Sequence, residues 1–232
     1  MARRTELINS KSLLKLVRPM IFDIAVEERR NYEEAIGPVT CKRGCAYCCY
    51  QKQLAHFFEG AVIAAYLEEN KLWTADLENR LRWADKALTE STHLHWVKQN
   101  VPCVFLKEKA HGVGECTVYQ VRPLSCAITL STNTDPRDCQ HEDSTVLKDV
   151  SPTQVRILEL KAAMERGNEE PLMLYTLPGA VLYARAKVMG LPLPDVHHVP
   201  MTQLLEEGRR SAERANLVTS AFDKVATLRD EE

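Results

Sequence analysis

The sequence predicts a mainly α fold: a helical domain interrupted by an irregular, cysteine-rich insert that contains a short β-hairpin. Three observations predict it. Apolar residues recur at helical spacing toward both ends of the chain. Two short β-type runs, Val104-Phe105-Leu106 and Thr117-Val118-Tyr119, flank a polar, glycine-containing stretch. All eight cysteines fall between positions 41 and 139. A chain of 232 residues can bury a core without covalent staples. We read it as one domain spanning 1–232. Within it lie an N-terminal helical segment (1–38), a cysteine-cluster region (39–145) and C-terminal helices (146–232).

The elements follow in order. Pro19 suits a first helical position, Ile21, Ile24 and Ala25 supply an apolar face, and Gly37-Pro38 ends the segment. Phe58 to Asn70 is alanine-rich and apolar at helical spacing. Leu77, Leu81, Ala84 and Leu88 mark one face of an amphipathic helix. The hairpin turn is expected around Gly112-Val113-Gly114, and Ser131 to Asp149 reads as loop. Ser151-Pro152-Thr153-Gln154 combines an N-cap, a proline at the first helical position and a capping-box glutamine, so a helix should run from there to Gly167. Pro171 to Gly190 reads as a helix kinked or broken near Pro178. Leu204 to Leu228 gives one or two more. No internal repeat is evident.

Charge and composition exclude several functions. Lys and Arg number 30 against 32 Asp and Glu, a net charge of -2, which does not suggest a basic nucleic-acid binder. Trp73, Trp83 and Trp96 read as core residues before stacking platforms. No run approaches the ~20 apolar residues of a membrane span, and no apolar signal region follows the basic N-terminus. The expected location is cytoplasmic, where thiols stay reduced and clustered cysteines point to metal or redox chemistry. No Ser-His-Asp set, His-Glu-x-x-His, Walker loop or dinucleotide fingerprint is present.

Cys41-x3-Cys45-x2-Cys48-Cys49 is the sharpest feature. Cys45 and Cys48 form a C-x2-C knuckle, whose thiolates can reach one metal. On a helix these four would fall within an arc of roughly 100°; the turns of a loop would converge them equally well. Adjacent side chains diverge, so Cys48 and Cys49 fit one ion awkwardly. Cys103, Cys116, Cys126 and Cys139 supply enough further ligands to close one or two four-thiolate sites. Thiolates favour zinc, iron or an iron-sulfur cluster over magnesium or calcium. Such sites are anionic, and Lys42, Arg43, Lys52 and Arg122 lie close enough in sequence to offset the charge. His56, His95, His111 and His141 are secondary ligand candidates, His141 the best of them.

At these residues the chain resembles the YkgJ-type cysteine-cluster family, a zinc- or iron-chelating domain. The matching stretches are Cys41 to Cys49, Glu59-Gly60-Ala61, Pro102-Cys103-Val104-Phe105-Leu106, Cys116-Thr117-Val118-Tyr119 through Arg122-Pro123 to Cys126, and the late Cys139. The resemblance implies metal binding. One distant branch, the flagellin lysine N-methylases, implies protein methyl transfer and an iron-sulfur cluster, although no substrate-binding region matches here.

The expected function is therefore metal binding, with all eight cysteines in or beside the metal site and six or more of them as direct ligands. The cofactor expected first is an iron-sulfur cluster of the 4Fe-4S type, with a redox or methyl-transfer role. The spacing of Cys41, Cys45 and Cys48 also matches the radical S-adenosylmethionine motif, but the chain lacks the alternating strands and helices of those enzymes. The alternative is zinc: a structural module presenting its helical surface to a protein partner, or a chelation and delivery protein.

Overall fold

A computed structural model describes residues 10–35, 37–131, 135, 137, 139, 174–196 and 198–199. The chain divides into two units, 1–198 and 199–232, and the elements that follow all lie in the first. The helices expected at Ser151–Gly167 and Leu204–Leu228 lie outside the described residues. The mainly α expectation holds: the described residues form α1 (Ser10–Ala35), α2 (Phe57–Glu69), α3 (Ala75–Glu90), α4 (His93–Gln99), α5 (Leu124–Ala127) and α6 (Leu177–Met189). Two short antiparallel strand pairs join them: β1 (Leu54–His56) with β4 (Leu174–Thr176), and β2 (Leu106–Ala110) with β3 (Val113–Cys116).

The core is built on two strand–helix units of the same design. Each strand runs directly into its helix, and β1 and β4 pair with Leu54 opposite Thr176, Ala55 opposite Tyr175 and His56 opposite Leu174. Both helices are apolar nearly all round and accordingly buried, Ala61 to Ala65 in α2 and Leu177 to Leu182 in α6. They open on Gly60-Ala61-Val62-Ile63 and Gly179-Ala180-Val181-Leu182. This recurrence is too brief to stand out as a sequence repeat. Gly60 lets the helices approach: a Cβ there would lie 2.3 Å from the Ala180 carbonyl oxygen.

The amphipathic helix α3 presents Leu81, Ala84 and Leu88 to this pair. Its buried Asp85 accepts a hydrogen bond from the Thr176 hydroxyl, which in turn caps α6 by accepting from the Gly179 amide at 3.1 Å. At the helices' far ends Arg185 pairs with Glu68 at 2.7 Å and lies 4.2 Å from the centre of the Trp73 ring. α1 contributes Ile21 and Ile24 to the core.

Four expectations are corrected. Pro19 lies inside α1, not at its start. The helix begins earlier and continues past the proline, whose ring removes the amide that would bond one turn back. Pro178 neither kinks nor breaks a helix. The segment before it is strand β4, and Pro178 sits in the first turn of α6, where the missing amide costs nothing. The hairpin strands lie inside the stretch expected to be turn. The polar Lys107 to Ala110 can form a strand because a two-stranded ribbon faces water, whereas the apolar Phe105 and Val118 beside it are buried in the core. Trp83 is 57 % exposed rather than core, while Trp96 is buried and Trp73 packs on the core's edge. The reason is angular: Trp83 falls off the stripe made by Leu81, Ala84 and Leu88.

Gly60→Ala should destabilise the protein by about 1–3 kcal/mol, because the clash is with backbone that cannot rotate away. Denaturant unfolding monitored by circular dichroism measures this.

Candidate metal centre

The first four cysteines lie on neither one helix nor a free loop. They follow a strap that is hydrogen-bonded at each step. Thr40 donates to the Ser131 carbonyl from its amide at 2.8 Å and from its hydroxyl at 2.9 Å. The chain then turns at Lys42-Arg43-Gly44, with the Cys45 amide donating to the Lys42 carbonyl at 3.0 Å and Gly44 at φ +90. Cys45 bridges Val113 of the hairpin, flanked by Ala46 N–H to the Gly112 carbonyl (2.8 Å) and Gly114 N–H to the Gly44 carbonyl (3.0 Å). Cys48 and Cys49 sit in a short 3-10 turn, Tyr47–Tyr50.

The hairpin tip locks this strap from above. Tyr50 is buried and its hydroxyl donates to Glu108. His111 packs against the rings of Tyr47 and Tyr50. Gly112 has φ +72, and a Cβ there would overlap the Tyr47 ring at 2.2 Å. Position 112 therefore requires glycine on both counts.

The remaining cysteines arrive at the hairpin base and just beyond it. The Cys103 amide donates to the Cys49 carbonyl at 2.8 Å, joining the two halves of the cluster. Cys116 closes the hairpin opposite Leu106. Cys126 lies on α5, which Pro123 precedes. Cys139 is buried, and its carbonyl accepts from the Gln51 side chain at 2.5 Å. One carboxylate couples this assembly to the helical body. Buried Glu59 accepts from the His56 amide at the start of α2 and from the Leu124 amide at the start of α5, each at 2.8 Å. The sequence places Glu59 within the family pattern, but nothing in the sequence shows that it serves two helix starts.

All eight cysteines are unbridged thiols. Burial raises the thiols of Cys41, Cys116 and Cys139, raises Cys126 strongly and pushes Cys103 up to about 12. Cys48 is raised well above its ordinary value, first by its hydrogen bond with Cys49 and then by burial. Cys103 and Cys126 keep some residue surface, yet their sulfurs lie within dense protein. The thiols act on one another across segments: Cys41 and Cys45 on Cys139, Cys103 and Cys116 on Cys126, and Cys48 on Cys41, Cys126 and Cys139. Arg122 offsets Cys48, Cys116 and Cys126, and stacks 4.4 Å over Tyr119. Of the other cations the sequence suggested, Lys52 donates to the Ser91 carbonyl and Arg43 acts on Glu115. Arg29, Arg80 and Ser131, which the sequence gave no reason to select, act on Cys41, Cys103 and Cys139.

The donor set fits a soft cation. Cys41, Cys103, Cys116, Cys126 and Cys139 are held neutral chiefly by burial, and a bound metal would supply the charge that lets such thiols ionise. Among the described residues no group of three or more His, Cys, Asp or Glu side chains is placed to hold a metal ion. His56 is occupied as the cap of α2, His111 is held at the hairpin tip, and His141 lies outside the described residues. No described helix is long and apolar enough to cross a membrane.

The fold and its thiols define a class: a mainly helical protein carrying a lobe rich in free cysteines. Residues 40–149 match the model of the CxxCxxCC family, described as "Putative zinc- or iron-chelating domain". This bears out the resemblance seen in the sequence. No curated protein and no solved structure matches the chain.

The shifted thiols set a pH dependence for the metal-free protein. Unfolded cysteines titrate near 9.0, whereas folded Cys103 keeps its proton to about 12. As pH rises past about 9 the unfolded chain loses protons first, so stability is intact below that point and falls above it. Thermal melts of chelator-treated protein from about pH 8 to pH 10.5 should therefore show a falling midpoint.

Proposed function

We propose that the cysteine lobe is a closed thiolate metal centre whose first task is structural, with zinc as the ion and Cys41, Cys45, Cys48, Cys49, Cys103, Cys116, Cys126 and Cys139 as the ligand set. One observation carries this reading. The strap and the hairpin are tied by backbone hydrogen bonds such as Cys103 to Cys49 and Ala46 to Gly112, and the apolar residues they bury are few: Ala46 and Tyr50 on the strap, with Phe105 and Val118 beside the hairpin. Four-thiolate zinc sites add folding energy where a core is small, and they leave no open coordination position. The helical body would then offer the surface for a protein partner.

A second reading is an iron-sulfur cluster with a redox or methyl-transfer role. It is favoured by the way Cys48 acts on Cys41, Cys103, Cys116, Cys126 and Cys139, which makes the thiols one continuous neighbourhood. Arg122 beside them suits an anionic cluster equally well.

Cys45→Ser should lose metal and loosen the lobe, and Cys103→Ser with Cys116→Ser should do the same. Elemental analysis with limited proteolysis is the measurement. Full metal content and unchanged protection in Cys45→Ser would overturn the centre. Zinc without sulfide supports the structural reading, and iron with acid-labile sulfide supports the second.

A further inference from the structure

We propose that the β2–β3 hairpin is a hinged clasp on the cysteine strap: it lifts as a unit, frees the turn that carries Cys48 and Cys49 with Cys45 beside it, and leaves the helical body folded. This goes beyond the metal reading and holds whichever ion the thiols take.

The ribbon is anchored firmly at its base alone. Phe105 and Val118 flank it and are buried in the core. The Leu106 amide donates to the Cys103 carbonyl at 2.9 Å, and Thr117 donates to the Phe105 carbonyl from its amide at 2.8 Å and from its hydroxyl at 3.1 Å. Past this base the ribbon buries no side chain. From Lys107 to Glu115 every residue is exposed except Gly112 and Gly114, which have no side chain to bury. Its register is irregular between Glu108 and Ala110. A two-stranded ribbon without an apolar face is marginal by itself.

A short set of contacts to the strap holds the free end down. Ala46 N–H donates to the Gly112 carbonyl at 2.8 Å and Gly114 N–H to the Gly44 carbonyl at 3.0 Å. The Tyr50 hydroxyl donates to Glu108 and accepts from the Gly112 amide at 3.3 Å. His111 adds ring contacts with Tyr47 and Tyr50. The strap residues that receive the ribbon are the ones that bracket the thiols. Cys45 itself pairs with Val113, and Tyr47 and Tyr50 open and close the turn that holds Cys48 and Cys49. Lifting the ribbon therefore breaks these contacts together and releases that turn on the ribbon's side. Its chief apolar cost is exposure of Tyr50, which is buried. Segments held by few apolar contacts open locally at a free energy well below that of global unfolding.

The test is amide hydrogen exchange of the full chain under reductant, followed at increasing denaturant. The Ala46 and Gly114 amides should exchange together, faster than those of Val62 and Val181 in the body and with a weaker denaturant dependence. Tyr50→Phe removes the hydroxyl that serves both Glu108 and Gly112. It should speed exchange of Ala46 and Gly114 by about tenfold and leave Val62 and Val181 unchanged. In the chelator-treated variant, alkylation mapped by mass spectrometry should quicken at Cys45, Cys48 and Cys49 and stay slow at Cys126. Ala46 and Gly114 exchanging only with the body's denaturant dependence in wild type would overturn the clasp, and that comparison needs no variant. Equal acceleration of all amides, or of all thiols, in a folded Tyr50→Phe would overturn it too, and so would no acceleration at Ala46 and Gly114.

Discussion

Burial of thiols with too few positive groups to balance them is the constraint on which the cysteine lobe depends. Six of the eight are held above their ordinary ionisation range, five of them chiefly by burial and Cys48 first by its bond to Cys49. An enclosed thiol stays neutral unless a cation shares its space. Arg122 supplies one positive group to three of them, against as many as eight developing negative charges. In the proposed centre a soft metal would resolve that imbalance and give three distant chain segments a common anchor.

The helical body sets where the lobe can form. The close crossing of α2 and α6 at Gly60 and Ala180 fixes the start of α2. There Glu59 accepts from both His56 and Leu124. The carboxylate therefore carries the position of the body into α5 and Cys126. At the other side, Tyr50 and Glu108 hold the hairpin tip down on the strap that carries Cys41 to Cys49. Thiol positions thus follow from a rigid pair of helices through a few buried polar contacts. Each such contact is costly to break because its partner would be left unsatisfied.

The helical class, the amphipathic face of α3 and the cysteine neighbourhood were legible because periodicity and residue chemistry are local signals. Leu81, Ala84 and Leu88 announce a buried stripe, and eight thiols in one region announce a soft metal. The strands at Leu54–His56 and Leu174–Thr176 were not legible. Each is only three residues long, and their pairing spans the whole insert. The hairpin register was misplaced because its strands are polar and the apolar runs beside them belong to the core. Ser131 and Gln51 carried no signal, since a serine hydroxyl or a glutamine amide acquires its role only when another segment comes to rest against it.

The central claim is tested most directly by metal and thiol analysis of the full chain, purified without added metal and under reductant. The account predicts stoichiometric bound zinc, with cysteines shielded from a thiol reagent until a chelator removes the ion. Protein that is folded and free of bound metal, with all eight cysteines reacting at once, would contradict it.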